Sequence, residues 1–120
     1  MGRVVFLNGD FIPEGEAKLS IFDRGLLFAD AVYEGFGILD GQITDFAYHM
    51  DRLDSSLAKL NMRSPMGRDA MLAALMRLIA ENQQNEGFLY LHITRGEGDR
   101  NYLYDDSYTP NIFAFIQTEL

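Results

Sequence analysis

The chain has no cysteine. This excludes disulfides, thiolate nucleophiles and thiolate metal sites, and it is compatible with a reducing compartment. There are only two histidines, His49 and His92, far apart in sequence, and without cysteine they make no recognisable metal-ligand set. No segment approaches the roughly 18 apolar residues that a membrane-spanning helix needs, so a soluble, cytoplasmic protein without a membrane partner is expected. Positive charge is scarce as well. Ten Lys and Arg stand against 18 Asp and Glu, for a net charge of −8, whereas a nucleic-acid surface requires a clustered cationic face. Nucleic acid is therefore not an expected partner. Internal repeats, low-complexity tracts and domain linkers are missing too.

What is present fits one modest core. With 120 residues, 48% of them apolar, residues 1–120 are expected to form a single small domain. Val4 to Leu7 and Phe11-Ile12 flank Asn8-Gly9, a pair that accepts the positive φ values of a tight hairpin turn. Val32 to Leu39 and Gln42-Ile43 flank Asp40-Gly41 in the same way. Within the longer strand Val32, Glu34, Phe36 and Ile38 alternate with Tyr33, Gly35, Gly37 and Leu39. Two glycines on one side of a strand cost stability. They point to a close neighbour on that face, whether backbone or ligand, or else to a bulge.

Thr44 is placed to cap a helix from Asp45 to Leu60, with His49, Leu53, Leu57 and Leu60 along one stripe. A second helix runs from about Gly67 or Arg68 to Gln84, its core face carrying Met71, Leu72, Leu75, Leu78 and Ile79, and Asn85-Glu86-Gly87 supplies the stop. Phe88 to Thr94 and Ile112 to Gln117 read as strands, separated by a polar, glycine-containing loop. This order favours a two-layer α+β domain, a mainly antiparallel sheet with two helices, over βαβ units.

Two stretches carry more than fold. Asp23-Arg24-Gly25-Leu26-Leu27-Phe28-Ala29-Asp30-Ala31-Val32-Tyr33-Glu34 is followed by His49-Met50-Asp51-Arg52-Leu53. Together they resemble the signature of the fold-type IV pyridoxal-phosphate enzymes, a family that includes D-amino-acid and branched-chain aminotransferases and aminodeoxychorismate lyase. The resemblance covers essentially the whole chain, but only the amino-terminal small domain of a typical member, and it lies nearest the D-amino-acid branch.

It implies pyridoxal 5'-phosphate as cofactor, a homodimer, and transfer of an amino group between a D-alanine-like amino acid and a 2-oxo acid. Branched-chain transamination, aminodeoxychorismate lysis and a non-catalytic dimerisation or binding domain are the alternatives. By resemblance, Arg52 holds the cofactor phosphate, for which a planar fork of donors is suited; read alone, it is a solvated charge on a polar helix. The resemblance also implies that Tyr33 faces cofactor and substrate, where its phenol can donate to a carboxylate; read alone, it is a half-buried strand tyrosine. In the loop from Arg95 to Thr109, Arg100 matches the arginine of a pair that traps the substrate α-carboxylate. Tyr102 stands where D-amino-acid aminotransferases have histidine. His49 and His92 read as packed or hydrogen-bonded structural histidines. Asp30 and Glu34 have no assured common face for paired-carboxylate chemistry.

The lysine that forms the Schiff base is not matched. The only lysines are Lys18 and Lys59, neither in a position the resemblance makes catalytic. The lysine-bearing carboxy-terminal domain of the family is thus expected to lie outside this chain, which alone should not transaminate.

Overall fold

The computed structural model describes residues 2–119. Six strands form one antiparallel sheet: β1 (Val4–Leu7), β2 (Asp10–Pro13), β3 (Ala31–Leu39), β4 (Gln42–Ile43), β5 (Gly87–Thr94) and β6 (Asn111–Gln117). The spatial order is β2-β1-β6-β5-β3-β4. Both hairpins turn where the sequence places them, with Asn8 and Asp40 at positive φ ahead of Gly9 and Gly41. Two long helices, α2 (Phe46–Lys59) and α3 (Arg68–Asn82), follow the second hairpin, which is the expected two-layer α+β domain.

Strand alternation decides what the helices cover. Val32, Glu34, Phe36 and Ile38 of β3 are buried, as are Leu89, Leu91 and Ile93 of β5 and Ile112, Ala114 and Ile116 of β6. All of them but Glu34 pack with Met50, Leu53 and Leu57 of α2 and Met71, Leu75, Leu78 and Ile79 of α3 into one core cluster. Burying each Leu or Ile side chain contributes about 1.5–3 kcal/mol. Asn82 ties the end of α3 to β1: its Nδ2 donates to the Val4 carbonyl at 3.0 Å, and its Oδ1 accepts from the Val4 amide at 2.9 Å.

The opposite sheet face is aromatic. Tyr90 stacks on Tyr33 at 5.5 Å and on Phe115 at 5.1 Å between ring centroids, while His92 stacks on Phe113 at 4.8 Å. The glycines of β3 belong to this face. A Cβ at Gly35 would meet the Phe88 ring at 2.5 Å, and one at Gly37 would meet Thr44 Oγ1 at 2.9 Å. Their close neighbours are therefore side chains.

Three local expectations change. Thr44 does not cap α2. Its amide and hydroxyl both donate to the Gly37 carbonyl, at 3.0 and 3.2 Å, because the two-residue strand β4 leaves it beside β3. Asp45 is the N-cap instead, with left-handed backbone and no side-chain cap bond. The buried stripe of α2 is Met50, Leu53 and Leu57, with His49 and Leu60 at its margins. In α3, Ala74 is buried and Leu72 is exposed, and the helix stops at Gln83, which takes the left-handed cap conformation. The segment between the hairpins holds a 3-10 turn (Glu14–Glu16) and a short helix, α1 (Arg24–Phe28).

Candidate active site

The Asp23-Arg24-Gly25 triplet is a junction. Asp23 is buried and caps α1, accepting from the Gly25 amide at 2.7 Å; its carboxylate also accepts from Thr94 Oγ1 at 2.8 Å and Asn111 Nδ2 at 2.7 Å. One side chain thereby joins α1 to β5 and β6. Gly25 is required by contact, since a Cβ there would lie 2.6 Å from Thr94 Cγ2.

Arg24, only 5% exposed, enters an ionic cluster. Its Nε donates to Asp30 Oδ2 at 2.9 Å, and Arg95 donates to the same carboxylate through Nε at 2.7 Å and Nη2 at 3.2 Å. Arg95 also donates to the carbonyls of Leu60 and Asn61, at 2.5 and 3.4 Å, just past α2. Burial opposes ionisation of Asp30, but the hydrogen bonds from Arg95 and then Arg24 outweigh it and hold the carboxyl below its ordinary value.

Four residues along, a second cluster forms on the buried face of β3. Glu34 accepts from His49 Nδ1 at 2.7 Å, from Arg52 Nε at 2.9 Å and from Arg52 Nη2 at 2.7 Å. Burial again works against the charge, and the bonds from Arg52 and His49 prevail, lowering the pKa. Bonding to Glu34 in turn raises that of Arg52. The bidentate pairing orients the guanidinium while its side chain stays 53% exposed, and Nη1 has no hydrogen-bond partner among the described residues. Tyr48 lies against the same guanidinium, its ring centroid 5.4 Å away. Arg52 is thus fixed on one side and open on the other, the form of an anion receptor.

Glu34 is the residue that sequence reasoning missed. Alternation with Val32 and Phe36 places it on a buried face, and a buried carboxylate demands cationic partners; that was the available signal. His49 is bonded as expected, and it packs on Phe36 at 4.9 Å. His92 is likewise structural. It shares a 2.8 Å hydrogen bond with Tyr90, and burial lowers its pKa, favouring the neutral ring.

The remaining sequence candidates lie in two further places. Arg100 Nη2 donates to the Tyr102 hydroxyl at 3.1 Å, and Phe28 lies 5.4 Å from both the Arg100 guanidinium and the Tyr102 ring. Both loop residues are exposed. Tyr33 is 62% exposed on the aromatic face, the face away from Glu34 and Arg52. None of Tyr33, Arg52, Arg100 or Tyr102 lines the prominent surface cavities. Within this chain the candidates do not converge on one pocket. Asp30 and Glu34 are each saturated by their own cations and form no catalytic pair. Among the described residues there is no group of His, Asp and Glu arranged for a metal ion, and no helix is long and apolar enough to cross a membrane.

Comparison with known proteins resolves the family. The sequence profile of the amino-transferase class IV family matches residues 31–119. The chain belongs to the class IV aminotransferases. It is 35% identical over 105 residues to a D-alanine aminotransferase of Listeria monocytogenes, covering 87% of this chain and 36% of that protein. To a Methanocaldococcus jannaschii protein provisionally assigned as a branched-chain aminotransferase it is 36% identical over 95 residues, covering 79% and 33%. The chain therefore spans about a third of the length of these relatives.

Its fold matches the branched-chain aminotransferase of Escherichia coli with a TM-score of 0.90 at 17% identity, over 98% of this chain and 40% of that one. A 4-amino-4-deoxychorismate lyase of Pseudomonas aeruginosa matches at 0.74 and 25% identity, over 95% and 39%. Class IV aminotransferases are pyridoxal-phosphate enzymes. The donor set around Arg52 fits a phosphate dianion, and no lysine belongs to either ionic cluster.

Proposed function

We propose that this chain is the small domain of a pyridoxal-phosphate-dependent transaminase acting on a D-alanine-like amino acid and a 2-oxo acid, working as a cytoplasmic homodimer. The observation that carries the proposal is the half-satisfied guanidinium of Arg52. Glu34 takes two of its nitrogens, Nε and Nη2, while the side chain stays 53% exposed with Tyr48 beside the guanidinium. Oriented donors of this kind hold a dianion with little entropy left to lose.

Bound pyridoxal phosphate would supply the aldehyde and the electron sink for amino-group exchange. The chain supplies position. Arg52 anchors the phosphate, Glu34 holds Arg52, and His49 completes the hydrogen bonding of Glu34. Arg100, Tyr102 and Tyr33 orient the substrate carboxylate. Because Tyr33 lies on the sheet face away from Arg52, and Arg100 lies in a separate loop, a complete site draws further groups from outside this chain, including the lysine that carries protons. A second subunit supplying the carboxylate loop agrees with that separation.

Tyr102 in the place of the histidine of D-amino-acid aminotransferases favours keeping branched-chain transamination and aminodeoxychorismate lysis as second readings. A phenol donates one hydrogen bond and carries no charge at neutral pH, so the carboxylate trap has altered selectivity. The deciding assay uses the native gene product with D-alanine, L-leucine and aminodeoxychorismate in parallel. Pyruvate formed from D-alanine only with a 2-oxo acid present supports the leading reading. Turnover of L-leucine alone, or pyruvate release from aminodeoxychorismate alone, replaces it. No turnover by a gene product of only 120 residues would leave a non-catalytic binding or dimerisation domain.

A further inference from the structure

The loop that carries Arg100 and Tyr102 is exposed along its length from Asp99 to Ser107, yet it is held from beneath. Arg24 Nη1 donates to the Asn101 carbonyl at 2.5 Å and Nη2 to the Tyr102 carbonyl at 3.4 Å. The Tyr104 ring closes over the same cluster, its centroid 3.5 Å from the Arg95 guanidinium carbon and 5.5 Å from that of Arg24. At the start of the loop, the Arg24 amide donates to the Gly96 carbonyl at 2.8 Å. Asp30 is the shared acceptor: one carboxylate fixes Arg24 beneath the loop and Arg95 against the carbonyls that end α2.

We propose that Arg24 is a positioning residue for the Arg100–Tyr102 loop, and that Asp30, through Arg24 and Arg95, sets that loop relative to the helix bearing Arg52. The recipients on the loop are backbone carbonyls, so the hold does not depend on which side chains stand at positions 101 and 102. The backbone is fixed while residue 102 remains free to vary, which separates placing the substrate-binding groups from choosing their chemistry. The effect on substrate rests on the reading of Arg100 and Tyr102 as carboxylate-binding groups; the anchoring does not.

Limited proteolysis followed by mass spectrometry, on the native gene product and its Arg24→Gln variant, tests the anchor. Cleavage within residues 99–107 is expected to be roughly tenfold faster or more, with α3 and the β1–β2 hairpin cut at parental rates. Unchanged cleavage in 99–107 in a folded variant would overturn the proposal, as would acceleration spread evenly through the sheet. If Arg24→Gln does not fold, Arg24→Lys keeps a cation beside Asp30, loses the forked contact, and carries the same expectation at smaller amplitude. In the active protein, KM for the amino donor should rise roughly tenfold with cofactor content unchanged. A loosened loop with parental KM would leave the anchor standing and remove Arg100 and Tyr102 from substrate binding.

Discussion

Asp30 and Glu34 lie four residues apart, and each is a mostly buried carboxylate held by arginine, yet the two clusters do different work. Around Asp30 both arginines are buried, at 5% and 6% exposure, and their remaining donors end on main-chain carbonyls. Around Glu34 the arginine is more than half exposed and keeps a nitrogen unengaged. The first cluster is closed and joins pieces of the protein; the second is open and presents a charge. An ion pair inside a protein is therefore read best by where the leftover donors point.

The contrast is broken most severely at Asp30. Replacing it with Asn leaves two buried guanidinium groups without a counter-charge, and loss of one partner from a buried pair costs about 3–5 kcal/mol. Urea denaturation of Asp30→Asn should show an unfolding free energy lower by that amount. A change below about 1 kcal/mol would mean that water screens the cluster.

Glu34→Gln should act less on stability and more on binding. It removes charge-assisted hydrogen bonds worth about 1.5–3 kcal/mol in protein interiors, but one of its partners already reaches solvent. The variant is expected to lose about 1–2 kcal/mol of stability and to bind pyridoxal phosphate roughly tenfold more weakly, because Arg52 is no longer oriented. Isothermal titration with the cofactor and thermal unfolding measure the two effects separately. Equal losses in the two variants, with cofactor binding untouched in both, would erase the distinction between the clusters.

The smallest expected effect is on the acid limb of stability. Both carboxyls are held below their ordinary values of 3.8 for Asp30 and 4.5 for Glu34. Each folded pKa is depressed, so the unfolded chain binds more protons in this range. The stability they contribute is complete above those ordinary values and is lost as the pH falls through the depressed ones. Unfolding free energy should therefore decline as the pH drops below 4.5, and Asp30→Asn should flatten the part below 3.8.

Much of the architecture was legible in the sequence because it rests on local chemistry. Asn8-Gly9 and Asp40-Gly41 announce their turns, and the alternation of β3 identifies its buried face. Thr44 misled because capping preference is weak against tertiary context: a carbonyl of Gly37 lay within reach of its hydroxyl. The Asp23-Arg24-Gly25 motif and Arg52 were visible as a family resemblance, whereas their physical roles depended on partners far along the chain. Asp23 bonds Thr94 and Asn111, Arg24 bonds Asn101, and Arg52 bonds Glu34. No spacing rule links such pairs. Tyr33, Arg100 and Tyr102 stood out in the sequence only through the resemblance; the two faces of β3 set Tyr33 apart from Glu34 and its partner Arg52, and Arg100 and Tyr102 lie in the loop between β5 and β6.

The central claim is that Arg52 is a preset phosphate receptor. Its most direct test compares the affinity of the native gene product for pyridoxal 5'-phosphate and for pyridoxal, before and after Arg52→Ala. The account predicts a strong preference for the phosphorylated form in the parent, reduced roughly tenfold to a hundredfold in the variant while pyridoxal binding stays as it was. Equal loss of both ligands, or retention of the parental preference, would contradict it.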